Sequence, residues 1–246
     1  MEKKDWQKKG LGHRQRLRDK FLQQGIESFT DAEVIEMLLT FGTPRTDCKE
    51  TARQALKRFG SLPAVLDAPE NRLQEIRGIG PKNLVALRFV QGVARRYLKQ
   101  RIIGKKYIRS SGDVAEYLVH AMRGLEQEVF MVLYLDAAHA ILDSEILSQG
   151  TVNVNTVYPR EVIKAALQRN ACALVVAHNH PSGNLVPSSQ DRQLTRSLYL
   201  VCSFMHINLL DHLIVGSGAQ TYSFADHGLM AAIEDECRSL LSHVAR

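Results

Sequence analysis

Nothing in this 246-residue chain is long and apolar enough to span a bilayer. Its longest unbroken apolar runs, Val129 to Leu135 and Ala171 to Ala177, have seven residues each, which is strand length. No membrane association is expected. The charged N-terminus has no apolar core behind it, so no signal peptide is expected and the cytoplasm is the expected compartment. Cysteine is sparse too. Cys48, Cys172, Cys202 and Cys237 show no CxxC spacing, which argues against a disulfide scaffold and for reduced thiols. The hydrophobic content of 45% and charged content of 24% are those of an ordinary globular protein, and the length fits one or two domains.

The second half is short of positive charge. Residues 1–110 carry 24 Lys and Arg against 12 Asp and Glu, whereas residues 111–246 carry 8 against 14. A basic half joined to an acidic half implies two domains with different partners, and an anionic polymer suits the basic one. Uneven charge that serves only solubility would look the same.

The first half also lacks strand-like alternation. From Arg14 to Leu98 apolar residues recur at helical spacing. Thr30-Asp31-Ala32-Glu33 has the form of a capping box. Ser61 precedes a short helix, Leu62 to Leu66, with Pro63 in its first turn. Pro81 opens a long helix whose apolar face is expected to run Leu84, Leu87, Val90, Ala94, Tyr97 and Leu98. Before it sits Ile76-Arg77-Gly78-Ile79-Gly80-Pro81-Lys82. Two glycines around one isoleucine allow a tight reversal at a helix N-terminus, where backbone amides and the helix dipole favour phosphate. This resembles a helix-hairpin-helix motif, which grips the DNA backbone without reading sequence. Gly78, Ile79, Gly80 and Lys82 are the candidate DNA contacts, with Ile79 plugging the gap between helices. A plain helix–helix turn is the competing reading.

After a linker around Ile102 to Ser111 the pattern becomes α/β. Strands are expected at Val129 to Leu135, Ala171 to Ala177, Ile207 to Val215 and Thr221 to Phe224. Helices are expected after Pro159 and from about Ser188 to Phe204. The expected domains are residues 1–106, helical; 111–228, with a mixed sheet; and 229–246, an amphipathic helix that packs on its own domain.

The chemistry concentrates at the end of the second strand. Residues two apart on a strand point to one side, so His178 and His180 can aim both imidazoles at one metal. Pro181 and Gly183 turn the chain, and Asp191 follows on the first turn of a helix that Ser188 opens. Two imidazoles and a carboxylate suit zinc and leave a position for water. Separately, the histidines could be hydrogen-bonded structural residues and Ser188-x-x-Asp191 a capping box. The remaining histidines lack ligand spacing, but His212, beside Asp211 on a strand expected to border the pocket, is the one to follow.

His178-x-His180, seven residues, then Ser188-x-x-Asp191 resembles the JAMM, or MPN-plus, metallopeptidase signature. The longer run His178-Asn179-His180-Pro181-Ser182-Gly183, with Pro187-Ser188, Asp191 and Thr195, is similar to the RadC family. Gly150-Thr151, Pro159-Arg160-Glu161 and Asp211-His212-Leu213-Ile214-Val215-Gly216 add to the likeness, as do Arg58-Phe59-Gly60-Ser61-Leu62 and the Ile76 to Gly80 turn. The resemblance covers Arg14 to Phe224. It implies a cytidine-deaminase-like α/β core with one zinc, preceded by the helical domain. It also implies hydrolysis of a peptide or isopeptide bond in an unknown protein substrate. A general base comes with it, a glutamate about 45 to 55 residues before the histidine pair in such domains: Glu128, 50 residues ahead of His178, is first choice, Glu126 second and Glu145 third. Ser188 would donate a hydrogen bond to the oxyanion. Asn179 stands where JAMM peptidases often have Ser or Thr. A DNA-associated nuclease, with Arg160, Arg192 and Arg196 near the metal, is one alternative. A non-catalytic nucleic-acid-binding protein with a structural zinc domain is the other.

Overall fold

The computed structural model describes residues 2–43, 46–109, 111–149 and 157–244. Two compact units emerge, Met1–Ala94 and Arg95–Arg246, and the division falls inside one long helix. The motif Gly150-Thr151 lies outside the described residues.

The first unit is helical throughout: α1 Glu2–Gln24, α2 Asp31–Gly42, α3 Lys49–Phe59, α4 Leu62–Asp67, α5 Glu70–Gln74 and the start of α6, Pro81–Ile102. Local sequence sets several of these boundaries. Thr30 caps α2 in a complete capping box, its Oγ1 accepting from the Glu33 N–H while the Glu33 carboxylate accepts from the Thr30 N–H. Ser61 caps α4, and Pro63 occupies its first turn. The buried seam of α6 differs from the expected face. Leu84 and Leu87 are buried, but Val90 and Tyr97 are exposed, and the polar Asn83 and Gln91 take the inner positions instead. Both are satisfied there. Gln91 Nε2 donates to Asp67 at 2.7 Å, and Asn83 Nδ2 donates to the Leu39 carbonyl at 2.9 Å and Thr43 Oγ1 at 2.7 Å.

Asn83 thereby ties the start of α6 to the end of α2, and Gly42 makes the approach possible. A Cβ on Gly42 would lie 2.6 Å from the Asn83 nitrogen and 2.6 Å from the Lys82 carbonyl carbon, both backbone atoms that have little room to give. A Cβ on Gly80 would meet nothing within 4 Å. Gly42→Ala is therefore expected to destabilise the protein by about 1–3 kcal/mol, the cost of forced overpacking. Gly80→Ala should leave stability nearly unchanged. Urea unfolding midpoints of the two variants decide this, and equal midpoints would refute the close packing.

The second unit is a five-stranded mixed sheet in the order β2-β1-β3-β4-β5. The strands are β1 Val129–Leu135, β2 Ile141–Gln149, β3 Ala173–Asn179, β4 Asn208–Val215 and β5 Thr221–Ser223. Only β3 and β4 run parallel. Helix α7 Ser111–Met122 completes one layer; α8 Pro159–Gln168, α9 Ser189–Phe204 and α10 Leu229–Val244 belong to the other. The two-residue period sorts the strands between two cores. Met131, Leu133, Val175, Ala177 and Leu213 pack with Leu118, Met122 and the end of α6 on one face. Phe130, Val132, Leu174, Val176 and Ile214 pack with Val162, Leu198 and Ile233 on the other.

Neither β2 nor α7 is among the expected elements. The stretch expected as a linker is partly core: Ile102 and Tyr107 are buried, and the Tyr107 hydroxyl donates to Asp211 at 3.0 Å. The expected α/β architecture behind an all-helical part is otherwise what the chain adopts.

Candidate metal centre

β3 runs two residues further than the apolar run implies, so His178 and Asn179 still belong to the sheet. His178 shares the face of Phe130, Val132 and Val176, beneath α9. The His180 N–H donates to the Val215 carbonyl at 2.8 Å, which keeps His180 in line with β3 before the chain turns. Gly183, at φ +81°, makes that turn in the left-handed region, and its N–H donates to the His180 carbonyl at 2.9 Å.

Asp191 arrives from the opposite direction, on the first turn of α9. Ser188 caps that helix in a second capping box. Its Oγ accepts from the Asp191 N–H at 3.1 Å, and its own N–H donates to Asp191 Oδ2 at 2.7 Å. The Ser188 hydroxyl proton also goes to Asp191 Oδ2, at 2.7 Å. That leaves Asp191 Oδ1 as the freer oxygen, 3.1 Å from His178 Nε2. Ser188 thus acts first as the cap, and donating to an oxyanion would require its proton to leave Asp191.

One atom from each of His178, His180 and Asp191 lies within 4.8 Å of the others, the one such group that could hold a metal ion among the described residues. The donor chemistry fits a cation. His180 Nδ1 sits 2.6 Å from the Asn184 carbonyl, which can only accept, so Nδ1 carries a proton and Nε2 is the nitrogen whose lone pair the neutral ring can give to a cation. That nitrogen lies 2.8 Å from His178 Nε2, with the carboxylate beside both. Burial presses the Asp191 carboxyl toward its neutral form. The His178 and His180 imidazoles and the Ser188 hydroxyl overcome that and hold it well below the ordinary carboxylate range. His180 is correspondingly raised, first by its bond to Asp191 against the effect of burial, then by Asn184 and by the charges of Asp191 and Glu128.

Glu128 therefore acts on the site electrostatically. Phe130 pairs with His178, the last pair of β1 with β3, and Glu128 lies two residues before Phe130, exposed just outside β1. Backbone pairing stops at Phe130, and Asn179 continues it with its side chain. Its Oδ1 accepts from the Val129 N–H at 2.7 Å and its Nδ2 donates to the Gln127 carbonyl at 3.1 Å, gripping the chain on both sides of Glu128. The residue between the histidines thus fixes the backbone that carries the carboxylate. Glu126 lies in the bend before β1. Glu145 pairs with Arg169 at 2.7 Å and accepts from the Tyr134 hydroxyl at 2.7 Å, which occupies it structurally. Of the arginines considered for a nuclease, Arg160 lies over the Tyr158 ring and pairs with Glu161.

Two polar side chains behind the site were not assigned from sequence. His212, fully buried on β4, has Nε2 2.7 Å from His178 Nδ1, and its Nδ1 is 2.6 Å from Thr195 Oγ1 on α9. Burial drives its pKa well below the usual histidine range. Thr195 and His212 both stand in the runs that resemble the RadC family, and the strand period splits Asp211 from His212: Asp211 faces Tyr107 and Ser223, His212 faces His178.

The candidate DNA contacts are less uniform. Ile79 is buried in the helical core, as its plugging position implies. Its N–H donates to the Ile76 carbonyl at 3.0 Å, and the Gly80 N–H donates to Asn83 Oδ1 at 3.1 Å, so these two amides are occupied internally rather than offered to phosphate. Gly78, at φ +102°, and Lys82 are exposed.

Comparison with known proteins agrees with this organisation. A family model described as a RadC-like JAB domain matches residues 108–229, which include Glu128, His178, His180 and Asp191. A second, described as UPF0758 N-terminal, matches residues 8–85. A UPF0758 protein of Pseudoalteromonas translucida is 40% identical over 220 residues, covering 89% of this chain and 98% of that protein.

Proposed function

The chain belongs to the RadC family, with a JAB domain behind a UPF0758 N-terminal domain, and from that premise we propose that it is a zinc-dependent hydrolase of peptide or isopeptide bonds. The observation that carries this reading is the convergence of His178, His180 and Asp191, with the Glu128 charge acting on the His180 imidazole. A bound zinc ion, favoured by two nitrogens and one oxygen as donors, would polarise the scissile carbonyl and acidify a water. His178 and His180 would hold it through Nε2 and Asp191 through Oδ1. The Glu128 carboxylate accepts the proton of the attacking water and returns it to the leaving nitrogen. Asn179 holds the backbone on both sides of that carboxylate. Ser188 steadies Asp191 and, once its proton is released from the cap, donates to the oxygen on which negative charge develops.

The helical unit is proposed to hold DNA without sequence preference. Its support is charge: 24 basic against 12 acidic residues in positions 1–110, with Lys82 exposed on the first turn of α6. The acidic balance of residues 111–246 favours a peptide over a phosphodiester substrate.

One experiment tests the reading. The purified full chain is incubated with a peptide library and with single- and double-stranded DNA, with and without a chelator. Peptide cleavage that the chelator abolishes and zinc restores is expected, with DNA retained intact and released as salt rises. Chelator-sensitive DNA cleavage would establish a nuclease instead, and inertness toward both a non-catalytic metal domain.

A further inference from the structure

We infer that Thr195 and His212 are positioning residues that fix the tautomer of His178, so that its Nε2 lone pair is the atom offered to the metal. This rests on the reading of His178 as a ligand.

Thr195 Oγ1 has a single proton, and it donates that proton to the backbone carbonyl of Asp191 at 2.6 Å. A carbonyl cannot donate in return, so the direction of this bond is fixed. At its other contact, 2.6 Å from His212 Nδ1, the hydroxyl must therefore accept, and Nδ1 of His212 carries the proton. His212 has no solvent exposure; besides the His178 ring at 4.8 Å, its ring contacts are apolar, with Phe224 stacked on it at 4.8 Å and Phe130 edge-on at 6.1 Å. Such surroundings disfavour a charged imidazole, which leaves Nε2 as an acceptor. The partner of that acceptor is His178 Nδ1 at 2.7 Å, so His178 carries its proton on Nδ1. Its Nε2, facing His180 Nε2 and Asp191 Oδ1, is then the nitrogen whose lone pair a cation would take.

The relay starts at the main chain of one ligand and ends on the ring of another. His180 reaches the same state by a single bond to the Asn184 carbonyl. Both imidazoles consequently present Nε2, one fixed by a loop and the other through the core. Partners of this kind orient a ligand and raise its basicity, and their loss typically weakens metal binding by about 10- to 100-fold.

The test uses the full chain with labelled histidine. Long-range nitrogen–proton correlation spectra of the metal-free protein should find the protons of His178 and His212 on Nδ1. His212→Phe suits a site already lined by Phe130 and Phe224, and a thermal melt checks that it folds. It should weaken zinc binding, measured by competition with a chelating dye, by about 10- to 100-fold. In the same variant the His178 proton should redistribute between its two nitrogens. His212→Gln, whose side-chain oxygen can accept near the former Nε2, should recover part of both losses. Thr195→Val, of equal size, should reproduce the tautomer change with a smaller loss of affinity. Unchanged zinc affinity and an unchanged His178 tautomer in His212→Phe would overturn the inference. A wild-type chain that takes up no zinc would instead overturn the metal reading, and the spectra would still decide the relay.

Discussion

Replacing His178 and His180 together by alanine is expected to abolish metal binding while leaving the fold in place. The wild-type chain should carry about one zinc, and metal analysis of the double variant should find none. Retention of the fold follows from what builds the site. β3 is held by β1 and β4 through backbone pairs, and α9 is capped by Ser188 and Asp191. The two strand faces pack into cores of aliphatic and aromatic side chains. None of these depends on the ion, unlike a small zinc module whose binding energy is its folding energy. Zinc should therefore raise the melting temperature of the wild-type chain, since a ligand at one hundred times its Kd adds about 2.7 kcal/mol, and should leave the double variant's unchanged. Asp191→Asn should weaken binding without abolishing it, because the amide oxygen can still ligate and cap while the charge is gone. Unchanged zinc in the double variant would remove these residues from the metal site.

The cluster of His178, His180 and Asp191 was legible in the sequence because its relations are local. His178 and His180 are two apart on a strand, and Ser188 and Asp191 are three apart on a first helical turn, so spacing alone constrains their geometry. The capping boxes at Thr30 and Ser188 were legible for the same reason. His212 was legible as the histidine to follow, but its contact with His178 was not, since the two meet across 34 residues of chain through the parallel register of β3 and β4, which no local pattern encodes. β2 escaped because Asp143, Ser144 and Glu145 interrupt its apolar pattern. Each is satisfied by a distant partner, Lys99 and Arg169 for Asp143, Tyr117 for Ser144, and Arg169 with Tyr134 for Glu145. The face of α6 was misassigned for a related reason: periodicity weighs Val90 and Tyr97 as core, whereas Asn83 and Gln91 find buried partners and take the seam.

Glu128→Gln is expected to keep the metal and lose hydrolysis by about 10²- to 10⁴-fold, the usual contribution of a positioned general base. The amide preserves size and the Asn179 grip on the neighbouring backbone, which involves only Val129 N–H and the Gln127 carbonyl. What it removes is the basic oxygen and the negative charge that acts on His180. The loss should fall on kcat, because proton transfer belongs to the transition state more than to substrate binding. Zinc content should stay at the wild-type level, which separates this variant from the ligand variants. Glu145→Gln supplies the opposite pattern: it breaks the Arg169 pair beside the Tyr134 hydroxyl, so it should lower the melting temperature and leave kcat nearly intact. Glu126→Gln, on the bend outside β1, should change neither. The measurements are kcat and KM on whichever peptide the library identifies, with metal analysis of each variant. An active Glu128→Gln beside an inactive Glu126→Gln would move the base to Glu126 and leave the Asn179 grip a purely structural device.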